Sequence, residues 1–212
     1  MPDNRLSNPQ EKMPMARQPD QTGIRIGMWL FLYTEIILFG GLFVLYAVYF
    51  YDYSSDFAKG GKELNRIIGS LNTIILLVSS CTVAASITAI RQEAKKFCLL
   101  LLATSFLCGV VFLINKYFEW GHKFAHDIYP NSPTLTSGPH GQNIFFGLYY
   151  VITGLHGLHV LIGMTLLGLS FVRVYQNKIT AQRFSLLENS GLYWHLVDLI
   201  WIFVFPLFYL IL

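Results

Sequence analysis

Apolar residues run in long stretches along this chain, and most polar positions are gathered between them. Crossing a hydrocarbon core of roughly 30 Å takes about 20 mostly apolar residues. Five stretches reach that length, at about residues 24–51, 67–91, 97–121, 142–173 and 186–212. The fourth exceeds what a perpendicular helix needs, so it is expected to tilt or to project beyond the lipid. The pattern predicts an all-α fold, a polytopic membrane helix bundle with five transmembrane helices. Residues 1–23 are polar, carry four prolines and lack the continuous apolar core of a signal peptide. They read as an N-terminal arm ahead of a transmembrane domain over 24–212. The connections are short except for 122–143, where Pro, Ser and Asn mark a genuine loop.

Composition agrees with this pattern. Hydrophobic residues make up 54% of the 212 positions and charged residues 13%, about half the usual soluble share of roughly 25%. A formal net charge of +3 with no long basic tract gives no reason to expect nucleic acid as a partner. Cys81, Cys98 and Cys108 lie in or beside apolar runs and form no CxxC or CxxCH, which argues against a zinc ribbon or a covalently attached heme. They read as buried free thiols.

Lys and Arg are distributed unevenly between the two sides. Ten of the fifteen fall on one side: Arg5, Lys12, Arg17, Arg25, Arg91, Lys95, Lys96, Arg173, Lys178 and Arg183. Lys59, Lys62, Arg66, Lys116 and Lys123 fall on the other. The positive-inside rule then puts the N-terminus in the cytoplasm and the C-terminus outside.

Several ionisable residues sit where lipid would surround a lone helix. An Asp at the bilayer centre costs about 2.5–3.5 kcal/mol on insertion scales. Glu35 lies roughly 17 Å along the first span at 1.5 Å per residue. His156 and His159 are near the middle of the fourth span, and His195 and Asp198 occupy a similar depth in the fifth. On a helix turning 100° per residue, Glu188, Gly191, His195 and Asp198 share an arc of about 80°. Tyr149, Thr153, His156 and His159 form a similar stripe, and Asn72, Ser79, Thr82 and Ser86 another. Such stripes must face other helices, because lipid offers no hydrogen-bonding partner. Helix glue is a sufficient reading for the Asn/Ser/Thr stripe. For Glu35, His156, His159, Glu188, His195 and Asp198, proton handling or support of a neighbouring subunit competes with glue. Glu35 is expected within hydrogen-bonding or one-water reach of a histidine on the fourth or fifth span. The candidate acids for His156 and His159 are Glu35, Glu188 and Asp198. Lys116 and Glu119, at i and i+3, read as an ordinary ion pair near the outer surface. Gly154, Gly157, Gly163 and Gly168 are expected to admit a neighbouring backbone.

Metal binding is the obvious alternative for the histidines. His156 and His159 are three apart, and the Glu of a zinc hydrolase HExxH helix is missing. A heme between His156 and His195 is geometrically conceivable, but no residue requires it. His122, His126 and His140 read as solvated loop residues. No nucleophile triad, phosphate loop or dinucleotide fingerprint is present.

Four stretches carry a resemblance. They are MWLFLYTEIILFGGLF (28–43), GSLNTIILLVSS (69–80), GLYYVITGLHGLHVLIGM (147–164) and LENSGLYWHLVDLIWIFVFPLFYLIL (187–212). With KYFEWGHK (116–123) they resemble subunit III of the heme-copper oxidases, in that family's order and over nearly all of the chain after residue 24. The resemblance implies a helical, non-catalytic membrane subunit of an oxidoreductase complex that binds no cofactor itself. Hemes and copper would belong to partner subunits that reduce oxygen to water while protons are pumped. Oxidase subunit I is the implied main partner, beside other oxidase subunits and membrane lipids, with bound phospholipid compatible with the family. Glu35 would match a buried glutamate associated with proton uptake support, lipid binding and an oxygen path. His156, His159, His195, Asp198, Glu119 and Glu188 would match bundle residues and not metal ligands. The implied location is the bacterial inner membrane.

Two departures matter. The best-known members have seven spans, and the two lacking here form one wall of a lipid-holding cleft. That cleft would need another subunit to supply the wall. Lys116 stands where the family's glutamine precedes the glutamate, a KxxE form that looks like bacterial five-span versions, including those of quinol oxidases and of proteins related to nitric oxide reductase. The competing functions are therefore an accessory oxidase subunit, a subunit III-like partner of a nitric oxide reductase, a stand-alone proton channel or transporter, and a bis-histidine heme carrier.

Overall fold

A computed structural model describes residues 21–210 of the chain. Most of the polar arm expected over 1–23 lies outside the described residues. The long helices are α1 (Gln21–Asp52), α3 (Arg66–Arg91), α4 (Lys95–Ala125), α6 (His140–Tyr175) and α7 (Ser185–Phe205). Each is long and apolar enough to cross a membrane, α7 together with the turn that follows it. Two short helices join them, α2 (Ser54–Lys62) and α5 (Pro133–Thr136). No strand occurs among the described residues; Thr180 and Arg183 form an isolated bridge.

The span positions agree with the apolar runs to within a few residues, and local chemistry explains several ends. Asn65 accepts from Ile67 N at 3.0 Å and Ile68 N at 3.3 Å and so caps α3. Ser132 caps α5 ahead of Pro133, whose missing N–H is harmless in a first turn. Pro206 cannot donate to the helical ladder, and the chain continues as a π-helical turn over Pro206–Leu210. The Tyr46 hydroxyl donates to the Leu207 carbonyl in that turn at 2.8 Å.

α2 has no counterpart among the apolar runs. Its sequence, SSDFAKGGK, is poor in strong helix formers. Packing holds it: Phe57 is fully buried, and Gly60 lies so close to α6 that a Cβ would collide with the Phe145 ring.

α7 is the centre of the bundle, packed against α6, α3 and α1, while α3 also lies along α4 and α4 along α6. The most apolar 18-residue stretch is 56% buried in α7 but 11% in α1. α1 is thus a peripheral helix. None of the four glycines expected to admit a neighbouring backbone does so. A Cβ on Gly163 would lie 2.7 Å from the Trp194 ring, so an aromatic side chain fills that space instead of a backbone. Gly154 faces Trp120, Gly157 is open, and Gly168 makes an ordinary contact. Cys98 is buried as expected, but Cys81 is exposed on α3, because its position falls on the outward arc of that helix.

The polar stripe of α3 does link helices. Trp194 Nε1 donates to Ser79 Oγ at 2.9 Å, and Thr82 Oγ1 meets Ser105 Oγ at 2.7 Å. Asn115 Nδ2 donates to Asn72 Oδ1 at 2.8 Å. Ser86 differs: its hydroxyl turns back to the Val83 carbonyl of its own helix at 2.7 Å.

Two stability changes follow. Gly163→Val should lower stability by about 1–3 kcal/mol through overpacking against Trp194. Glu93 ends α3 at φ 61°, and Glu93→Gly should raise stability by about 0.5–1 kcal/mol by relieving a left-handed conformation. Both are measurable as unfolding midpoints in detergent.

Candidate functional site

Glu35 stands on the inward arc of α1, and His159 on that of α6. Their side chains meet with His159 Nε2 2.9 Å from Glu35 Oε2 and are 8% and 14% exposed. Phe39 sets its edge on the imidazole at 5.3 Å, and Tyr193 lies parallel to it at 6.4 Å. The expected contact between Glu35 and a span-four histidine is present in this geometry.

The hydrogen bonds fix how many protons the pair holds. His159 Nδ1 is 2.8 Å from the Leu155 carbonyl oxygen. A carbonyl only accepts, so Nδ1 carries hydrogen. The short Nε2–Oε2 contact then needs one more proton, on the carboxyl or on the imidazole. Either placement leaves the pair electrically neutral, as a low-dielectric setting requires. One proton shared across this contact leaves the pair neutral on whichever atom it rests.

His156 follows a different course. Its ring is fully buried between Phe112, 5.6 Å away, and Trp201, 5.0 Å away. Neither nitrogen has a hydrogen-bonding partner among the described residues, so the expected acid is missing. The three-residue step from His159 turns the ring away from α1 and into the aromatic centre.

The sequence reading of Lys116 and Glu119 as a surface pair also needs correction. Their side chains are 9% and 4% exposed and 3.0 Å apart. Glu119 Oε1 accepts from the Tyr149 hydroxyl at 2.7 Å and the Tyr209 hydroxyl at 2.6 Å. Lys116 Nζ is also 3.2 Å from the Tyr149 hydroxyl and 3.0 Å from that of Tyr209. Nearby, Lys123 lies over Phe146 and Tyr149 and donates to the Glu63 carbonyl at 3.2 Å. Tyr149 belongs to the polar stripe of α6 and was legible. Tyr209 was not, because the π-helical turn after Pro206 breaks the 100° periodicity that would place it.

Glu188 is no histidine partner. It accepts from Arg91 at 2.6 Å and Arg25 at 3.3 Å, joining α3 and α1 at the start of α7. His195 Nδ1 lies 2.6 Å from Ser80 Oγ on α3. Asp198 is 2% exposed and lies near Ser80, yet neither carboxyl oxygen meets hydrogen-bond geometry. The six candidate acids and imidazoles thus form several separate sites, not a single cluster. No group of three or more His, Cys, Asp or Glu side chains converges among the described residues. His122 and His126 stack at 4.3 Å, and His140 lies apart against Tyr53.

The Lys116 site gives a graded stability series. Glu119→Leu strands a buried ammonium and should cost about 3–5 kcal/mol. Tyr209→Phe removes one donor and should cost about 1–2 kcal/mol. Denaturant unfolding in micelles would rank them.

Comparison with known proteins gives a consistent result. The profile of the family described as cytochrome c oxidase subunit III matches residues 15–211. Subunit 3 of the cytochrome bo(3) ubiquinol oxidase of Pseudomonas aeruginosa is 30% identical over 185 residues, covering 87% of this chain and 83% of that protein. Cytochrome c oxidase subunit 3 of Mammuthus primigenius is 32% identical over 197 residues, covering 87% of this chain and 68% of that protein. The probable cytochrome c oxidase subunit 3 of Rickettsia felis is 30% identical over 213 residues, covering 91% and 70%. With five membrane-crossing helices and this match over most of its length, the chain belongs to the cytochrome c oxidase subunit III family, as a subunit III of a heme-copper terminal oxidase.

Proposed function

We propose that this chain is the cofactor-free accessory subunit of its oxidase, with subunit I as its main contact and all hemes and copper held by partner subunits. In this reading it resides in a bacterial inner membrane, N-terminus in the cytoplasm, with phospholipid bound to its surface. Its contribution to the reaction is to stabilise subunit I and support proton uptake. The single-proton pair of Glu35 and His159 is the observation that carries this. Holding one proton between them, the two side chains keep an acid and a base at mid-membrane depth with no net charge in hydrocarbon. Glu35 Oε1 has no partner among the described residues and keeps that carboxyl available to a neighbour.

Relatives include proteins named for ubiquinol and for cytochrome c oxidases. Choice of reductant therefore lies with partner subunits in this proposal.

Glu35→Gln tests it in the intact complex. The variant should assemble with normal heme content and start turnover at a near-normal rate. Activity should then decay severalfold faster during turnover, with slower proton uptake. His159→Leu should behave alike, because it removes the other half of the pair. Unchanged lifetime and proton uptake in both variants would leave the pair as helix glue. Failure of the chain to co-purify with a heme-bearing subunit in mild detergent would overturn the accessory-subunit reading as a whole.

A further inference from the structure

α7 is covered on most sides but not all. α3 packs against it through Gly191, Trp194 and Trp201: Trp194 and Trp201 donate to Ser79 and Thr73. α1 packs on the other flank, with Phe31 on Tyr193 at 6.0 Å and Phe43 near Phe203 at 6.3 Å. Between these walls Glu188, Leu192, His195, Leu199 and Ile202 share an arc of about 80° on a helix turning 100° per residue. Leu199 is 48% exposed and Ile202 44%. The strip spans roughly 21 Å at 1.5 Å per residue. Arg25 and Arg91 reach in from the two walls and close one end on Glu188.

His195 decides what fits this groove. It is half-buried, and its Nδ1 is held by Ser80 at 2.6 Å. Nε2 has no partner among the described residues. The ring lies ten residues into α7, at the middle of the groove floor. An acyl chain laid over it would offer no hydrogen bond, and a polar group facing hydrocarbon is unfavourable. A second helix with a polar side chain at that depth would satisfy it.

We propose that the groove between α1 and α3 over α7 seats a transmembrane helix of another oxidase subunit, whose hydrogen-bonding side chain meets His195 Nε2 at mid-membrane depth. The proposal rests on the subunit III reading and adds the face and the residue that engage the neighbour. Leu199 and Ile202 would supply apolar contact on one side of the histidine, with the guanidinium-bound Glu188 marking one end. Ser80 acts as a positioning residue that sets the ring orientation.

Photoreactive benzoylphenylalanine at Leu199 or Ile202, in the full oxidase within its native membrane, tests the occupant. Both positions should form adducts with one heme-oxidase subunit, mapping to a membrane segment with a polar side chain near mid-depth. Adducts with phospholipid alone, or with a second copy of this chain, would overturn the proposal while a heme-bearing preparation upheld the subunit III reading. A preparation without heme would overturn both. A second measurement uses the side chain itself. His195→Leu should raise loss of this chain from the detergent-solubilised complex about threefold, the scale of one interhelical hydrogen bond in a membrane. His195→Gln should restore retention, and Ser80→Ala should lower it measurably but by less than His195→Leu, because the ring loses its anchor and keeps its Nε2. Equal retention of His195→Leu and the unsubstituted protein would count against the contact.

Discussion

Hydrocarbon cannot hydrogen-bond, so a polar side chain at depth is best answered by another part of the protein, and most on the helix stripes are, His156 and Asp198 excepted. That constraint organises this bundle more than apolar packing does, since lipid tails are as apolar as leucine. Ser79 sits between Trp194 of α7 and Ser105 of α4, and so one small hydroxyl ties three helices. Asn72 meets Asn115, Ser170 meets Ser190, and Thr73 receives Trp201. These contacts set which helices are neighbours, and the aromatic side chains then fill the space between them. Trp194 and Trp201 do both, each offering a large ring to the core and one N–H to α3.

Charge is handled in two contrasting ways. At Lys116 the carboxylate of Glu119 collects three donors, from one ammonium and two phenols. Such a site is saturated, and its protons have little reason to move. At Glu35 a single bond to His159 holds the acid, and one oxygen is left over. Losing or gaining a proton there would create a net charge in a dry place. The first arrangement braces the bundle. The second leaves one carboxyl oxygen and a single contact.

The five crossings were legible because hydropathy over about 20 residues leaves few alternatives. The glutamate–histidine pair was legible because isolated charge at matching depth on different helices needs a partner. Sequence could not reveal which groups actually touch. His156 and His159 are three residues apart on one stripe, yet one meets an acid and the other meets Phe112 and Trp201. Helix periodicity gives an angle, whereas contact also depends on the tilt and spacing of the neighbouring helix. Lys116 was misplaced for a related reason. Counting from the end of its span puts it near the surface, but Tyr149 of α6 and Tyr209 in the turn after Pro206 cover it. Helix α2 itself depends on the fit between glycine and Phe145, a tertiary fact with no signature in local propensity.

The loose attachment of α1 bears on how the molecule is made. Its helical neighbours are α2, α6 and α7, with none of the intervening long helices among its main contacts. The ion pair joining Arg25 to Glu188 spans 163 positions of chain. During synthesis α1 emerges ahead of every helix that will hold it. Glu35 precedes its partner His159 by 124 positions of chain. Of the five described crossings, the first in the chain is thus held mainly by helices that follow it at a distance.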